Sequence, residues 1–219
     1  GKITVPGAKQ TIAFYAHYDG QPVNPKQWAS GLLPFQPVFL SDPVERGGKI
    51  VELPANAITI DPHWRLSGRG SADDKAGVMT ILNAYEALLL SKVALNNNII
   101  FFFEGEEEIG SIHIAEIFEK NKQKLQADVW IIADGPRHVS GKKMVQFGVR
   151  GDINMSLTVY GPKRPLHSGN YGNWAPNPAR MLVELLAGMK DNEGKVIIKG
   201  FYDDVVPLSA SEKNAITSI

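Results

Sequence analysis

Histidine and carboxylate side chains gather at a few points of this chain in a pattern suited to holding a divalent cation and moving a proton. They are His17 and Asp19, Asp73, the acidic run from Glu104 to Glu108, and Asp134. The chain has no cysteine, so a metal here must be held by imidazole nitrogen and carboxylate oxygen. That donor set suits zinc with one position left open for water. Carboxylates also bridge, and two ions sharing Asp73 and a water would make the water acidic and polarise a carbonyl. A general base must then take the water's proton without being tied to a metal itself. Adjacent glutamates offer that division of labour.

The elements that must position these groups are legible as short apolar runs. Residues 11–16, 98–103 and 128–133 are too short for helices, rich in β-formers and followed by glycine or acidic residues, so they are expected to be buried strands. Each ends in one of the candidate groups. Residues 74–91 carry Val78, Ile81, Leu82, Tyr85, Leu88 and Leu89 at helical spacing, with Asp73 or Asp74 as the cap. A second helix is expected over 111–125. Alternation of strand and helix predicts an α/β layered fold with a mostly parallel central sheet, in which ligands bind beyond the carboxyl ends of the strands. The glycines around Asp73, in Ser67-Gly-Arg-Gly-Ser-Ala-Asp-Asp-Lys, let that loop approach the same place.

Seven prolines interrupt residues 20–66, which read as an irregular excursion with a short edge strand near 49–53. After Gly151 the pattern changes. Ile153, Met155, Leu157 and Val159 alternate like a strand with one wet face; a helix over 178–190 follows, with Asn177 as N-cap and Pro178 at its first position, then a turn and a strand over 195–199. A second domain is expected to begin here, giving residues 1–148 and 149–219.

Five stretches, in order, resemble the dinuclear zinc peptidases that include carnosinases, cytosolic dipeptidases, carboxypeptidase G, aminoacylase and succinyl-diaminopimelate desuccinylase. They are Ala16-His-Tyr-Asp-Gly-Gln-Pro-Val, Gly68-Arg-Gly-Ser-Ala-Asp-Asp-Lys-Ala-Gly, Phe103-Glu-Gly-Glu-Glu-Glu-Ile-Gly-Ser, Ala133-Asp-Gly-Pro and Leu166-His-Ser-Gly. The resemblance implies a zinc-exopeptidase-like catalytic domain, incomplete at its C-terminal side, followed by part of an α+β lid or dimerisation domain. It implies two zinc ions, with manganese or cobalt as other occupants: His17 and Asp134 on one, Glu108 on the other and Asp73 bridging both. Asp19 would orient His17 through its other ring nitrogen. Aligning Ile109-Gly-Ser with the family's downstream residues makes Glu107 the general base. His167 would stabilise the oxyanion from a partner's lid, which implies a homodimer, and the peptide bond after Asp73 would be cis. The family's second metal histidine has no counterpart after His167, so the chain reads as a fragment whose activity alone is in question.

The expected reaction is metal-dependent hydrolysis of dipeptides or short peptides, with deacylation of N-acyl amino acids as the runner-up and a non-catalytic scaffold of the same fold as a further reading. Arg69 and Lys75 are read as partners of nearby acids, and His63, His113 and His138 as surface or structural. Equal numbers of basic and acidic residues, 23 each, give no single-signed field for nucleic acid or an anionic membrane. No apolar run approaches a membrane span. The expected compartment is the cytoplasm, with periplasmic or secreted locations left open.

Overall fold

The computed structural model describes residues 1–56, 59–136, 138 and 140–217. The chain divides into two compact units, Gly1–Val145 and Gln146–Ile219.

The first unit is built on a four-stranded sheet in the order β1-β6-β2-β7, comprising β1 (Lys2–Ile3), β2 (Thr11–His17), β6 (Asn98–Glu104) and β7 (Val129–Ile132). Strands β2, β6 and β7 are parallel and β1 adds an antiparallel edge. The near-continuous apolar sequences of β2 and β6 are what strands covered on both faces require, whereas β7, expected to be buried like them, is a largely exposed edge strand. From β2 the chain crosses to β6 on one side, then jumps back over β2 to β7. With right-handed crossovers this reversal puts the two connecting helices on opposite faces. Ring contacts agree: Tyr85 of α1 (Lys75–Leu90) meets Phe101 edge-on, whereas Phe118 of α2 (Ile114–Asn121) packs on Phe102 and Trp130. The core sits between these layers at Ala13, Ala16, Ile81, Ile99 and Ile100.

Asp74 caps α1, its carboxylate accepting from the Gly77 amide. Helix α2 is shorter than the spacing predicts. Gly110 and Ser111 both take positive φ (89° and 51°), which breaks any helix starting at 111. The proline-rich excursion carries a three-stranded antiparallel sheet, β4-β3-β5, from β3 (Val38–Leu40), β4 (Ile50–Val51) and β5 (Arg65–Ser67). Strand β7 lies at a sheet edge with Val129, Ile131 and Ile132 exposed.

The second unit departs from expectation. Residues 153–159 form no strand among the described residues, and Ile153 and Met155 are 69% and 61% exposed. The expected strand at 195–199 reduces to one isolated bridge, Lys190 to Val196. Alternation gives a segment an apolar face, but a strand also needs a neighbouring edge for its amides and carbonyls, and a lone pair of strands is marginal. Helix α4 (Pro178–Ala187) is capped by Asn177, which accepts from the Ala179 and Arg180 amides; it ends at Gly188, short of residue 190. Two further helices are α3 (Ser168–Tyr171) and α5 (Ala210–Thr217). Among the described residues no helix is long and apolar enough to cross a membrane.

Candidate metal centre

The carboxyl ends of β2, β6 and β7 open onto one crevice, at the point where the strand order reverses. His17, the last residue of β2, is 1% exposed at its floor. Its Nδ1 lies 3.1 Å from Asp19 Oδ1. Asp19 is acceptor-only as a carboxylate, so Nδ1 carries the proton and donates. Nε2 then faces Asp73 Oδ1 at 2.9 Å, and Asp134 Oδ2 and Glu107 Oε2 at 3.8 Å each. The ligand atoms of His17, Asp73 and Asp134 all lie within 4.8 Å of one another.

A ring nitrogen ringed by three carboxylates calls for a cation between them, either a proton on Nε2 or a metal ion. The electrostatics point the same way. Burial opposes charging of His17, but Asp134, Asp73, Glu107 and Asp19 outweigh it and hold the ring's pKa above its usual value. Burial also pushes the Asp134 and Glu107 carboxyls up; the His17 ring opposes this, and neighbouring acids add to it, Asp73 and Glu108 at Asp134, and Asp134, Glu108 and Asp73 at Glu107. One imidazole, two close carboxylates and surplus negative charge fit a divalent ion.

The loops set this geometry. Asp73 reaches the crevice from the turn before α1, where the Asp73–Asp74 peptide bond is cis, and buried Asp74 accepts from the His17 amide at 3.2 Å. After β6 the chain turns at Gly105, where a side chain would sit 2.6 Å from the Tyr18 hydroxyl. Glu107 and Glu108 then begin a single 3-10 turn closed by Gly110. Glu108 stands apart from the three-residue cluster. Its carboxylate accepts from the Gln21 backbone amide (3.2 Å) and side-chain amide (2.6 Å), while its own amide donates to Asp19 Oδ2 (3.1 Å). Asp19 thereby fixes both the His17 ring and the Glu108 backbone.

His167 lies in the second unit. Its Nδ1 accepts from the Gly169 amide at 3.1 Å, so the proton of the neutral ring is on Nε2. Arg69 and Lys75 form no ion pair among the described residues, contrary to the expectation that they would pair with nearby acids. The Arg69 stem packs against Gly20, and its buried Nε has no hydrogen-bond partner among the described residues. Sequence reasoning counted Glu104 in the acidic run but passed over Gln21 and over Tyr15, whose 2.7 Å hydrogen bond to Glu104 lies on the same sheet face as His17. Equal spacing, Tyr15 two residues before His17, was the available signal.

Comparison with known proteins bears on the whole arrangement. The sequence description of peptidase family M20/M25/M40 matches residues 13–213. Among curated relatives, human Beta-Ala-His dipeptidase is 30% identical over 96% of this chain, and the Cys-Gly metallodipeptidase of Candida albicans is 31% identical over 97%. The chain spans 38% and 40% of the lengths of these two relatives. Among solved structures, an M20 family metallo-carboxypeptidase from Sulfolobus solfataricus superposes with a TM-score of 0.70 at 30% identity, covering 100% of this chain and 44% of that one. Human carnosine dipeptidase 1 gives a TM-score of 0.53 at 26% identity, over 100% of this chain and 41% of that one.

Proposed function

The chain belongs to peptidase family M20/M25/M40, and on that footing we propose that it supplies the metal centre and general base of a peptidase cleaving dipeptides or short peptides. The observation that carries this reading is the convergence of Asp73, Asp134 and Glu107 on the Nε2 of a buried histidine. The names of the relatives, a Beta-Ala-His dipeptidase and a Cys-Gly metallodipeptidase, support peptides over N-acyl amino acids.

His17, Asp134 and Asp73 would hold one ion, and Asp73 and Glu108 a second, zinc being the first choice and manganese or cobalt the others. When bound, such ions supply Lewis acidity to the scissile carbonyl and acidify water. The chain's own residues do the rest. Asp19 keeps the His17 proton on Nδ1, which leaves the Nε2 lone pair for ligation. Gln21 holds Glu108 with two donors. The Glu107 carboxylate accepts no hydrogen bond among the described residues, and its raised pKa makes Oε2 a stronger base than an ordinary carboxylate. It would take a proton from the attacking water and return it to the leaving amine. His167, with its proton on Nε2, is a ready hydrogen-bond donor to a tetrahedral oxyanion. We assign Gly1–Val145 as the catalytic unit and Gln146–Ile219 as lid, acting in a homodimer; a cytoplasmic location completes the reading.

The test compares hydrolysis of Beta-Ala-His and Cys-Gly with that of N-acetyl amino acids, for the wild type and for Glu107→Gln. Cleavage of the dipeptides, reduced about 10²–10⁴-fold in the variant with metal content unchanged, is the expected result. Preference for N-acetyl amino acids would replace the peptidase reading with deacylation. Full activity in Glu107→Gln would remove Glu107 as base.

A further inference from the structure

Glu104 is a buried carboxylate for which the mechanism above has no use. It closes β6, is 7% exposed, and its Oε2 accepts from the Tyr15 hydroxyl at 2.7 Å. No lysine, arginine or histidine forms an ion pair with it among the described residues. Its strand register places it directly beside His17, its Cα partner across the parallel β2–β6 pair. Registered neighbours and residues two apart share a face, so Tyr15, His17 and Glu104 project together.

A purely structural role does not call for an acid here. Glutamine has the same shape, its side-chain carbonyl would accept the same Tyr15 hydrogen bond, and it would bring no uncompensated charge into the protein. Burying a carboxylate without a cation is costly, and neutral replacements of similar volume are often as stable or more so. The charge is also placed among other acids. His17, the registered neighbour of Glu104, is the residue on whose Nε2 Asp73, Glu107 and Asp134 converge, so this pair lies beside the crevice. A divalent cation in the crevice would be attracted by that charge.

We propose that Glu104, held in place by Tyr15, is a positioning residue for the divalent metal centre: its buried negative charge beside His17 strengthens metal binding without contacting the ion. The inference rests on the metal-centre reading. It predicts opposite consequences for the metal-free and metal-loaded protein, which a packing role would not produce.

The experiment is zinc affinity by competition with a chromogenic chelator near neutral pH, together with Tm with and without zinc, for the wild type and Glu104→Gln. The variant is expected to bind zinc about tenfold more weakly and to show a smaller zinc-induced rise in Tm, while its metal-free Tm equals or exceeds that of the wild type. Zinc affinity within about twofold of wild type, or a lower metal-free Tm with an unchanged zinc-induced rise, overturns the proposal. A wild-type chain that takes up no zinc overturns the metal-centre reading and this inference together, whereas one that binds zinc just as Glu104→Gln does overturns this inference alone.

Discussion

Glu107 and Glu108 adjoin in sequence yet stand in opposite surroundings: Gln21 ties Glu108 down, while the Glu107 carboxylate faces the His17 ring across 3.8 Å. The strand ends made His17 and Asp134 legible, because apolar runs fix where a parallel sheet delivers its last residues, and the glycine-bearing loop before α1 added Asp73 to the group. The pairings of Gln21 with Glu108 and of Tyr15 with Glu104 were not legible, because each joins side chains across 87 or more positions of chain, and no periodicity encodes that. The same cluster gives a pH dependence. His17, Asp74, Glu107 and Asp134 all have pKa values raised in the folded state. In the window between each ordinary value and its raised one, the folded chain binds more protons than the unfolded chain, so stability falls as pH rises. Metal-free protein should therefore gain Tm on acidification from neutral pH towards the ordinary carboxylate range. Saturating zinc should flatten that slope, since protons then compete with the ion. Thermal melts across pH with and without a chelator measure both; a metal-free Tm that climbs with pH would contradict the account.

At the scale of elements, the central strands were readable because burial on both faces leaves an uninterrupted apolar signature. The segment 153–159 shows the limit of that reading. Its alternation was real, but pattern specifies a face and not a partner edge, and no strand formed there among the described residues. The start of α2 was misplaced for a different reason, a non-glycine residue, Ser111, in the left-handed region, which composition does not announce. The most exacting contact between elements is the seat of α1 against the end of β7. A Cβ at Gly77 would lie 2.3 Å from the Ala133 carbonyl oxygen and 2.4 Å from the Asp74 carboxylate. Gly77→Ala should thus cost about 1–3 kcal/mol by overpacking and displace Asp74, with zinc affinity falling alongside stability. Chemical denaturation paired with a zinc titration reads both. In an exposed helix interior the same substitution would be mildly stabilising, so a gain in stability would show that the helix does not sit this close.

For the whole molecule, the chain's two units divide the proposed labour: every candidate ligand lies in Gly1–Val145, and His167 lies in Gln146–Ile219. His167→Ala should leave zinc affinity within about twofold while lowering kcat on dipeptides about 10²–10³-fold, the usual effect of losing an oxyanion donor. A large change in KM alone would instead make His167 a substrate contact. The order of the five motifs carried family membership from sequence alone, since each is short but their succession is not. The fragment reading also came from sequence; the comparison gave it a figure, about two fifths of the length of the two curated relatives named above.

One edge of the central sheet has a practical side. Among the described residues strand β7 ends the sheet, with Val129, Ile131 and Ile132 exposed and its outer backbone edge open to pairing. Such a strip is adhesive towards its own kind, so concentrated solutions of this chain should grow turbid long before dilute ones. Titrations of the crevice belong at low micromolar protein, where colloidal association and ion uptake can be told apart.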